Sequence, residues 1–252
     1  VSADRYVSGG VELRCGRWQD VIADVGQVDA VITDPPYSSR TEMGFRSGSA
    51  SGPTDDPIAY GSITETDAQQ IAEWTCSTTA RWAVVFNDHI GWGWFEAAFS
   101  ARGWYTFAPV VWCKGAAAPR FAGDGPASAV EHILIARPRA RLRDGDVGSR
   151  PGFYNGMRAV SGAMSNGAVV TGGKPVDLMR EIIRDYTQPG DLIADLYAGG
   201  ATTLRAAELE GRRCIGAEMD PATYRKAVER LQGYGPSVTK TGQTNLFYPG
   251  AA

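Results

Sequence analysis

Two short motifs carry side chains suited to chemistry. The first is Asp34-Pro35-Pro36-Tyr37, directly after the apolar run 28–33 (VDAVIT). Asp34 supplies a carboxylate acceptor at the end of a buried strand. Pro35 has no N–H and a fixed backbone, so its carbonyl stays free to face a ligand. Tyr37 adds a flat face and a hydroxyl. Together they can hold an exocyclic amine between two acceptors while the ring stacks on a base. The tetrapeptide also suits a plain surface turn, and the buried run before it weighs against that.

The second motif runs from Asp195 through Leu196-Tyr197-Ala198-Gly199-Gly200-Ala201 to Thr202-Thr203. It joins a strand to a helix whose first N–H groups lack intrahelical partners. Its glycines let the backbone approach a ligand. Neither the phosphate-loop ending Gly-Lys-Ser/Thr nor the dinucleotide Gly-x-Gly-x-x-Gly is present. Ala201 keeps a close turn open only with a negative φ. Glu218 closes the next strand, where an acid can accept hydrogen bonds from ribose hydroxyls. A helix-capping or surface acid is the competing reading for Glu218. Asp220-Pro221 reads as an N-cap with a first-turn proline.

These motifs need strands that end together. The pattern gives strands near 11–15, 28–33, 82–86, 104–112, 129–136, 191–196 and 213–217. It gives helices near 18–25, 66–77, 94–102, 175–186, 202–210 and 221–231. Strands alternating with helices imply a mostly parallel sheet covered on both faces. The two motifs together resemble those of permuted DNA amino-methyltransferases, and that resemblance implies strands 28–33 and 191–196 side by side, bringing Asp34 and Asp195 to a shared crevice. Residues 38–63 read as a long loop. Between Arg137 and Arg158, six arginines face two aspartates, a local charge of +4.

Composition narrows the classes. The 252 residues are 43% hydrophobic and 21% charged, which suits a globular domain with a real core. No apolar run is long enough for a membrane helix, and residues 1–6 lead into no secretory signal. Four cysteines lie too far apart for a zinc site, and only two histidines exist, His89 and His132. The net charge of −3 argues against bulk nucleic-acid binding but leaves room for a local basic groove.

The pair of motifs, in this order and with Lys174-Pro175 before the second, resembles the beta-type (permuted) S-adenosylmethionine-dependent DNA amino-methyltransferases. The resemblance covers roughly 11–136 and 174–231. It implies an α/β, Rossmann-like methyltransferase fold with a mostly parallel seven-stranded sheet and circularly permuted motif order. It implies one catalytic domain over 1–252 with a small target-recognition insertion near 137–173. It assigns Asp34, Pro35, Pro36 and Tyr37 to catalysis, and Lys174, Asp195, Tyr197, Ala198, Gly199, Thr202 and Glu218 to S-adenosyl-L-methionine. Leu196, Tyr197 and Gly200-Ala201 depart from the family's usual Pro, Phe and Ser-Gly, and Gly16-Arg17 has lost the acid of a Gly-Asp pair.

The implied reaction is direct transfer of a methyl group to the exocyclic amine of a flipped base in double-stranded DNA. Adenine N6 is favoured, because Asp at the head of the first motif resembles many adenine enzymes. Cytosine N4, RNA or protein-amide methylation, and an inactive DNA-binding homologue are the alternatives. Arg40, Arg46, Arg137, Arg139, Arg141 and Arg143 are the expected DNA contacts, with Arg150 and Arg158 extending the patch. A homodimer is compatible, no metal is expected, and the expected setting is cytoplasmic, bacterial or phage-encoded. Restriction-modification, genome regulation and phage DNA modification are the contexts that fit.

Overall fold

A computed structural model of the chain describes residues 4–39, 61–114, 129–139, 148–155 and 173–233. Within these, one mixed sheet carries ten strands. They are β1 (Arg5–Ser8), β2 (Val11–Cys15), β3 (Val28–Thr33), β4 (Thr79–Asn87), β5 (Trp104–Thr106), β6 (Val110–Cys113), β7 (Val130–Pro138), β8 (Phe153–Asn155), β9 (Leu192–Asp195) and β10 (Arg213–Glu218). The spatial order is β1-β2-β10-β9-β3-β4-β7-β6-β8, with β5 also on β7. The run β2-β10-β9-β3-β4 is parallel throughout, and β7 pairs antiparallel with β4.

The expected α/β architecture and the β3–β9 pairing hold. The strand count is corrected from seven to ten. β1 and β8 are short strands at the two sheet edges, in segments without an apolar run. The single strand expected over 104–112 breaks into β5 and β6 around Ala108-Pro109, because proline gives the ladder no donor.

Six helices complete the layers: α1 (Trp18–Val21), α2 (Glu65–Thr78), α3 (His89–Ala101), α4 (Val176–Tyr186), α5 (Thr202–Leu209) and α6 (Pro221–Gly233). Strand residues alternate between two cores. Ala30 and Ile32 of β3 face a core shared with Leu178, Ile182, Leu204 and Leu231 of α4, α5 and α6. Val28 and Val31 face the other, with Trp18, Ile71, Phe95 and Phe99 of α1, α2 and α3. Each fully buried Leu, Ile or Phe contributes roughly 1.5–3 kcal/mol, so the sheet is held from both faces.

Helix starts are set by side chains. Thr64 and Asp67 form a capping box at α2. Asp88 caps α3, which begins five residues earlier than its apolar pattern suggests, because the Asp88 carboxylate accepts from Ile90 and Gly91 N–H. Among the described residues, no helix is long and apolar enough to cross a membrane.

Candidate active site

Parallel strands deliver their carboxyl ends to one edge of the sheet. β3 leads directly into Asp34, while β9 ends at Asp195 and β10 at Glu218. Thr33 Oγ1 donates to Asp195 Oδ1 at 2.8 Å and accepts from the Leu196 N–H at 3.2 Å. That threonine, unmarked in the sequence, ties the two motif-bearing strand ends together. A cavity of about 230 Å³ opens beside it, lined by Gly16, Trp18, Pro36, Tyr197, Glu218 and Met219 among others. Pro36 of the first motif and Glu218 of the second half thus line one cavity.

The two carboxylates on the β9–β10 side meet only hydroxyl and backbone donors. Asp195 is 2% exposed, and besides Thr33 it accepts from the Tyr197 N–H at 3.1 Å. Burial pushes its carboxyl up to about 6. Glu218 is equally buried and accepts from the Asp220 N–H at 2.7 Å. Burial raises it to about 7. Asp220 caps α6 through Thr223, as its sequence suggests. Tyr197 is oriented by a hydrogen bond from Trp18 Nε1 at 3.2 Å. Ala198 is buried and Gly199 has φ +50. Thr202 is buried in the first turn of α5.

Ala201 departs from expectation. Its φ is +58, the one positive value outside glycine among the described residues. The strand-to-helix turn demands a left-handed residue at the N-cap of α5, and tertiary packing imposes it on an alanine.

The β3–β4 side is built from charges. Lys174 Nζ lies 2.5 Å from Asp34 Oδ2 and 3.2 Å from Glu131 Oε2. Glu131 also pairs with Lys114 at 2.5 Å and accepts the Tyr37 hydroxyl at 2.5 Å. Lys174 further sits 5.3 Å from the Tyr37 ring centroid and 5.1 Å from that of Phe86. Burial opposes the charge on Lys174, but Asp34 and Glu131 outweigh it and hold the ammonium above its usual range. Burial lifts the Asp34 carboxyl; Lys174 opposes the rise and the like charge of Glu131 adds to it. Burial also lifts Glu131, but Lys174 and Lys114 reverse the sign and lower it. Burial drives the Tyr37 hydroxyl far up, so it stays a neutral donor.

Several residues therefore change place. Lys174, expected at the cofactor, is ion-paired with Asp34 instead. Glu131 and Lys114 were not expected in the site. β7 runs antiparallel to β4 and places Glu131 beside the carboxyl end of β4; no local motif announces this. Asp88 serves two ends: beyond its cap, its other oxygen receives the Ser38 N–H at 3.0 Å and the Ser38 hydroxyl. That contact pins the chain just after Tyr37. His132 faces Asn87 across the ladder, and burial lowers its pKa. Among the described residues no cluster suits a metal ion.

The arginine patch is corrected in part. Because β7 is antiparallel, Arg137 lies six residues beyond Glu131, about 20 Å toward the opposite end of the sheet. Its guanidinium packs on Tyr105 and Phe107, and Arg139 packs on Tyr105. Arg150 donates to the Asp185 carbonyl at 2.7 Å and lies over Trp82, so it is committed to α4 rather than extending a patch. Arg40, Arg46, Arg141, Arg143 and Arg158 lie outside the described residues.

Comparison with known proteins adds to this geometry. A DNA methylase family model for N6 and N4 methyltransferases matches residues 161–229. The type II methyltransferase M.XycI of Xanthomonas campestris pv. cyanopsidis is 28% identical over 161 residues, 61% of this chain and 54% of that protein. Over these stretches the chain is similar to DNA amino-methyltransferases. The chain spans about half the length of M.XycI and of M.Cfr9I of Citrobacter freundii, 54% in each case. The putative methylase YubD of Escherichia coli (strain K12) is 25% identical over 234 residues, covering 89% of this chain and 91% of that one.

Two solved structures share the fold of this chain. The M1.HpyAVI–SAM complex superposes with a TM-score of 0.65 at 20% identity, over 88% of this chain and 98% of that one. The PvuII cytosine-N4-specific DNA methyltransferase gives 0.67 at 15% identity, over 90% and 88%. The fold is the Rossmann-like methyltransferase fold.

Proposed function

We propose that this chain is an S-adenosylmethionine-dependent DNA methyltransferase that modifies the exocyclic amine of a base, with adenine N6 the favoured target. The observation that carries this is the shared crevice. The β3–β9 pairing sets the Asp34 turn beside the Asp195 loop, and Pro36 and Glu218 line one cavity.

The residues on the β9–β10 side suit S-adenosylmethionine. Glu218 is a buried carboxylate at the strand end, fit to accept from ribose hydroxyls. Trp18, Tyr197 and Met219 supply apolar walls for a nucleoside base. Asp195 holds the loop in shape through the Tyr197 N–H. S-adenosylmethionine held by these residues would supply an activated methyl group on a sulfonium, which would leave as a thioether.

This chain's residues do the rest. The Asp34 carboxylate and the Pro35 carbonyl accept the two amine hydrogens, and Tyr37 offers its ring to the base. Held this way, the amine lone pair is withdrawn from the ring and directed at the methyl carbon. As the N–C bond forms, the amine sheds one proton, and Asp34 is the nearest base. Orientation and fixed charge supply the rate, without a covalent enzyme intermediate. The acid at the head of the first motif favours adenine N6. Residues 137–173 remain the proposed recognition region. With Arg137 and Arg139 packed at the far end of the sheet, Arg40, Arg46, Arg141 and Arg143 are the proposed phosphate contacts.

The test is to offer labelled S-adenosylmethionine with DNA, RNA and protein, then identify the product. Label in N6-methyladenine from DNA is expected. Label in N4-methylcytosine would move the target within the family, and label only in RNA or protein would overturn the DNA assignment.

A further inference from the structure

The two oxygens of Asp34 are not equivalent. Oδ2 receives Lys174 Nζ at 2.5 Å. Oδ1 is sealed from solvent and has no hydrogen-bond partner among the described residues. Buried carboxylate oxygens are rarely left empty, because the lost hydration is not recovered. An empty, sealed acceptor in the proposed catalytic turn is a place for a donor that arrives with the substrate.

Lys174 cannot easily leave Oδ2. Its side chain is 8% exposed and its ammonium has Glu131 Oε2 as a second acceptor at 3.2 Å. The rings of Tyr37 and Phe86 cover it. Glu131 is fixed in turn by Lys114 and by the Tyr37 hydroxyl. Two carboxylates and two ammonium groups thus balance in one buried cluster. Charges in such a site cost far less as a balanced set than singly.

We propose, resting on the amine-methylation reading above, that Lys174 is a positioning residue: it anchors Asp34 through Oδ2 and leaves Oδ1 as the acceptor for the target amine, while Glu131 keeps Lys174 and the Tyr37 hydroxyl in register. Lys174 then serves the base side of the crevice rather than the cofactor side.

The groups facing Asp34 are Lys174 from the segment before α4, Glu131 of β7, Tyr37 of its own loop and Asp195 of β9. Lys114 acts through Glu131, and Asp88 lies behind Tyr37. Asp34 can accept from the Lys174 ammonium at Oδ2 and from the target amine at Oδ1 together only as a carboxylate. Lys174 favours that form, while burial and Glu131 oppose it. Removing the lysine charge must therefore raise the pH at which Asp34 ionises, and removing the glutamate charge must lower it. A scaffold role gives no such pair of opposite signs.

The experiment measures methyl transfer to DNA against pH for the wild type, K174M and E131Q, with cofactor affinity measured alongside. K174M is expected to show an acid limb moved up by about one unit or more, to lose activity at pH 7 as a result, and to recover part of the loss toward pH 9. Its cofactor Kd should stay within about 3-fold of the wild type. E131Q should move the acid limb down. Carbon-13 titration of the Asp34 carboxyl in the free proteins should give the same two shifts without substrate. If K174M fails to fold by circular dichroism, E131Q carries the sign test alone. Parallel pH profiles with an unshifted Asp34 titration would overturn the proposal. So would a K174M defect confined to cofactor affinity. A wild type whose Asp34 titration responds as expected, yet which methylates no DNA, would sink the functional reading and leave the ion-pair cluster standing.

Discussion

The two carboxylate corners of the crevice are built on opposite plans. At the Asp34 corner, burial lifts the carboxyl and fixed charges then act on it: Lys174 opposes the rise and Glu131 adds to it, with Lys114 behind. At the Asp195–Glu218 corner, the acids meet backbone N–H groups and threonine hydroxyls, and burial is the main cause that lifts them to about 6 and about 7. The first corner sets an ammonium against its acceptor before anything binds. The second leaves Glu218 balanced near neutrality, so donors brought by a ligand decide its state. Preorganised charge suits the atom where chemistry happens. A carboxylate completed by its ligand suits a binding contact.

The sharpest way to break this contrast is Asp34→Asn. It retains shape and one acceptor but replaces the charge and puts a donor against Lys174. Methyl transfer should fall by about 100- to 1,000-fold, the cost typical of removing a preorganised electrostatic group. Cofactor affinity, measured by calorimetry, should hardly change. If transfer survives with an unchanged pH dependence, Asp34 is not a required acceptor.

Glu218→Gln probes the opposite corner. Hydrogen bonds to a charged group are worth roughly 1.5–3 kcal/mol, so the cofactor Kd should rise by about 10- to 100-fold. The wild type should bind S-adenosylmethionine more tightly as pH rises through about 7, because the ionised carboxylate is the better acceptor for ribose hydroxyls. The glutamine variant should bind with no such slope. A wild-type affinity flat between about pH 6 and 8 would remove Glu218 from the cofactor's contacts.

The same variant separates binding from folding. Glu218 has a folded pKa raised above the ordinary 4.5 to about 7. The native state therefore holds the proton more tightly than the unfolded chain. The stability this gives is full below pH 4.5 and is lost as pH rises through 7. Without cofactor, Glu218→Gln should be more stable than the wild type above pH 7, by up to about 3 kcal/mol at pH 8. The difference should close near pH 4.5. Urea unfolding at the two pH values measures it, and equal stabilities at pH 8 would mean that water reaches the carboxylate.

The contrast also marks what the sequence can reveal. The Asp195–Glu218 corner is a local matter: a strand, a glycine-bearing turn and a helix, then the next strand end. Periodicity and motif spacing both read it. The Asp34 corner begins locally, but its charges come from distant segments. Glu131 sits within an apolar strand pattern, and its place depends on β7 running antiparallel to β4. Lys114 follows β6 with no signal of its own. Lys174 is legible as a marker residue, yet only the packing of the segment before α4 against β3 and β7 reveals that its partner is Asp34. The same antiparallel strand misleads about Arg137, which looks near Glu131 in sequence and faces the other end of the sheet. Patterns identify elements well; which ends meet is decided by sheet order and direction, which no short window contains.

The smallest expected effect concerns the seam between the motif and α5. Ala201 holds a φ of +58. A left-handed backbone costs an L-residue with a side chain about 1–2 kcal/mol, and glycine escapes that cost. Ala201 is also fully buried, so Ala201→Gly discards a methyl group worth about 0.8 kcal/mol and adds freedom to the unfolded chain. The terms nearly cancel. A net gain of about 0.5 kcal/mol is expected, or roughly 1–2 °C in Tm for a chain of this size. Cofactor affinity should rise slightly as well, because the turn beside Gly199 would no longer be held against its preference. A loss of more than about 1 kcal/mol would mean that the methyl group's packing outweighs the strain. The alanine would then be part of the core that fixes the loop, rather than a strained substitute at a glycine position.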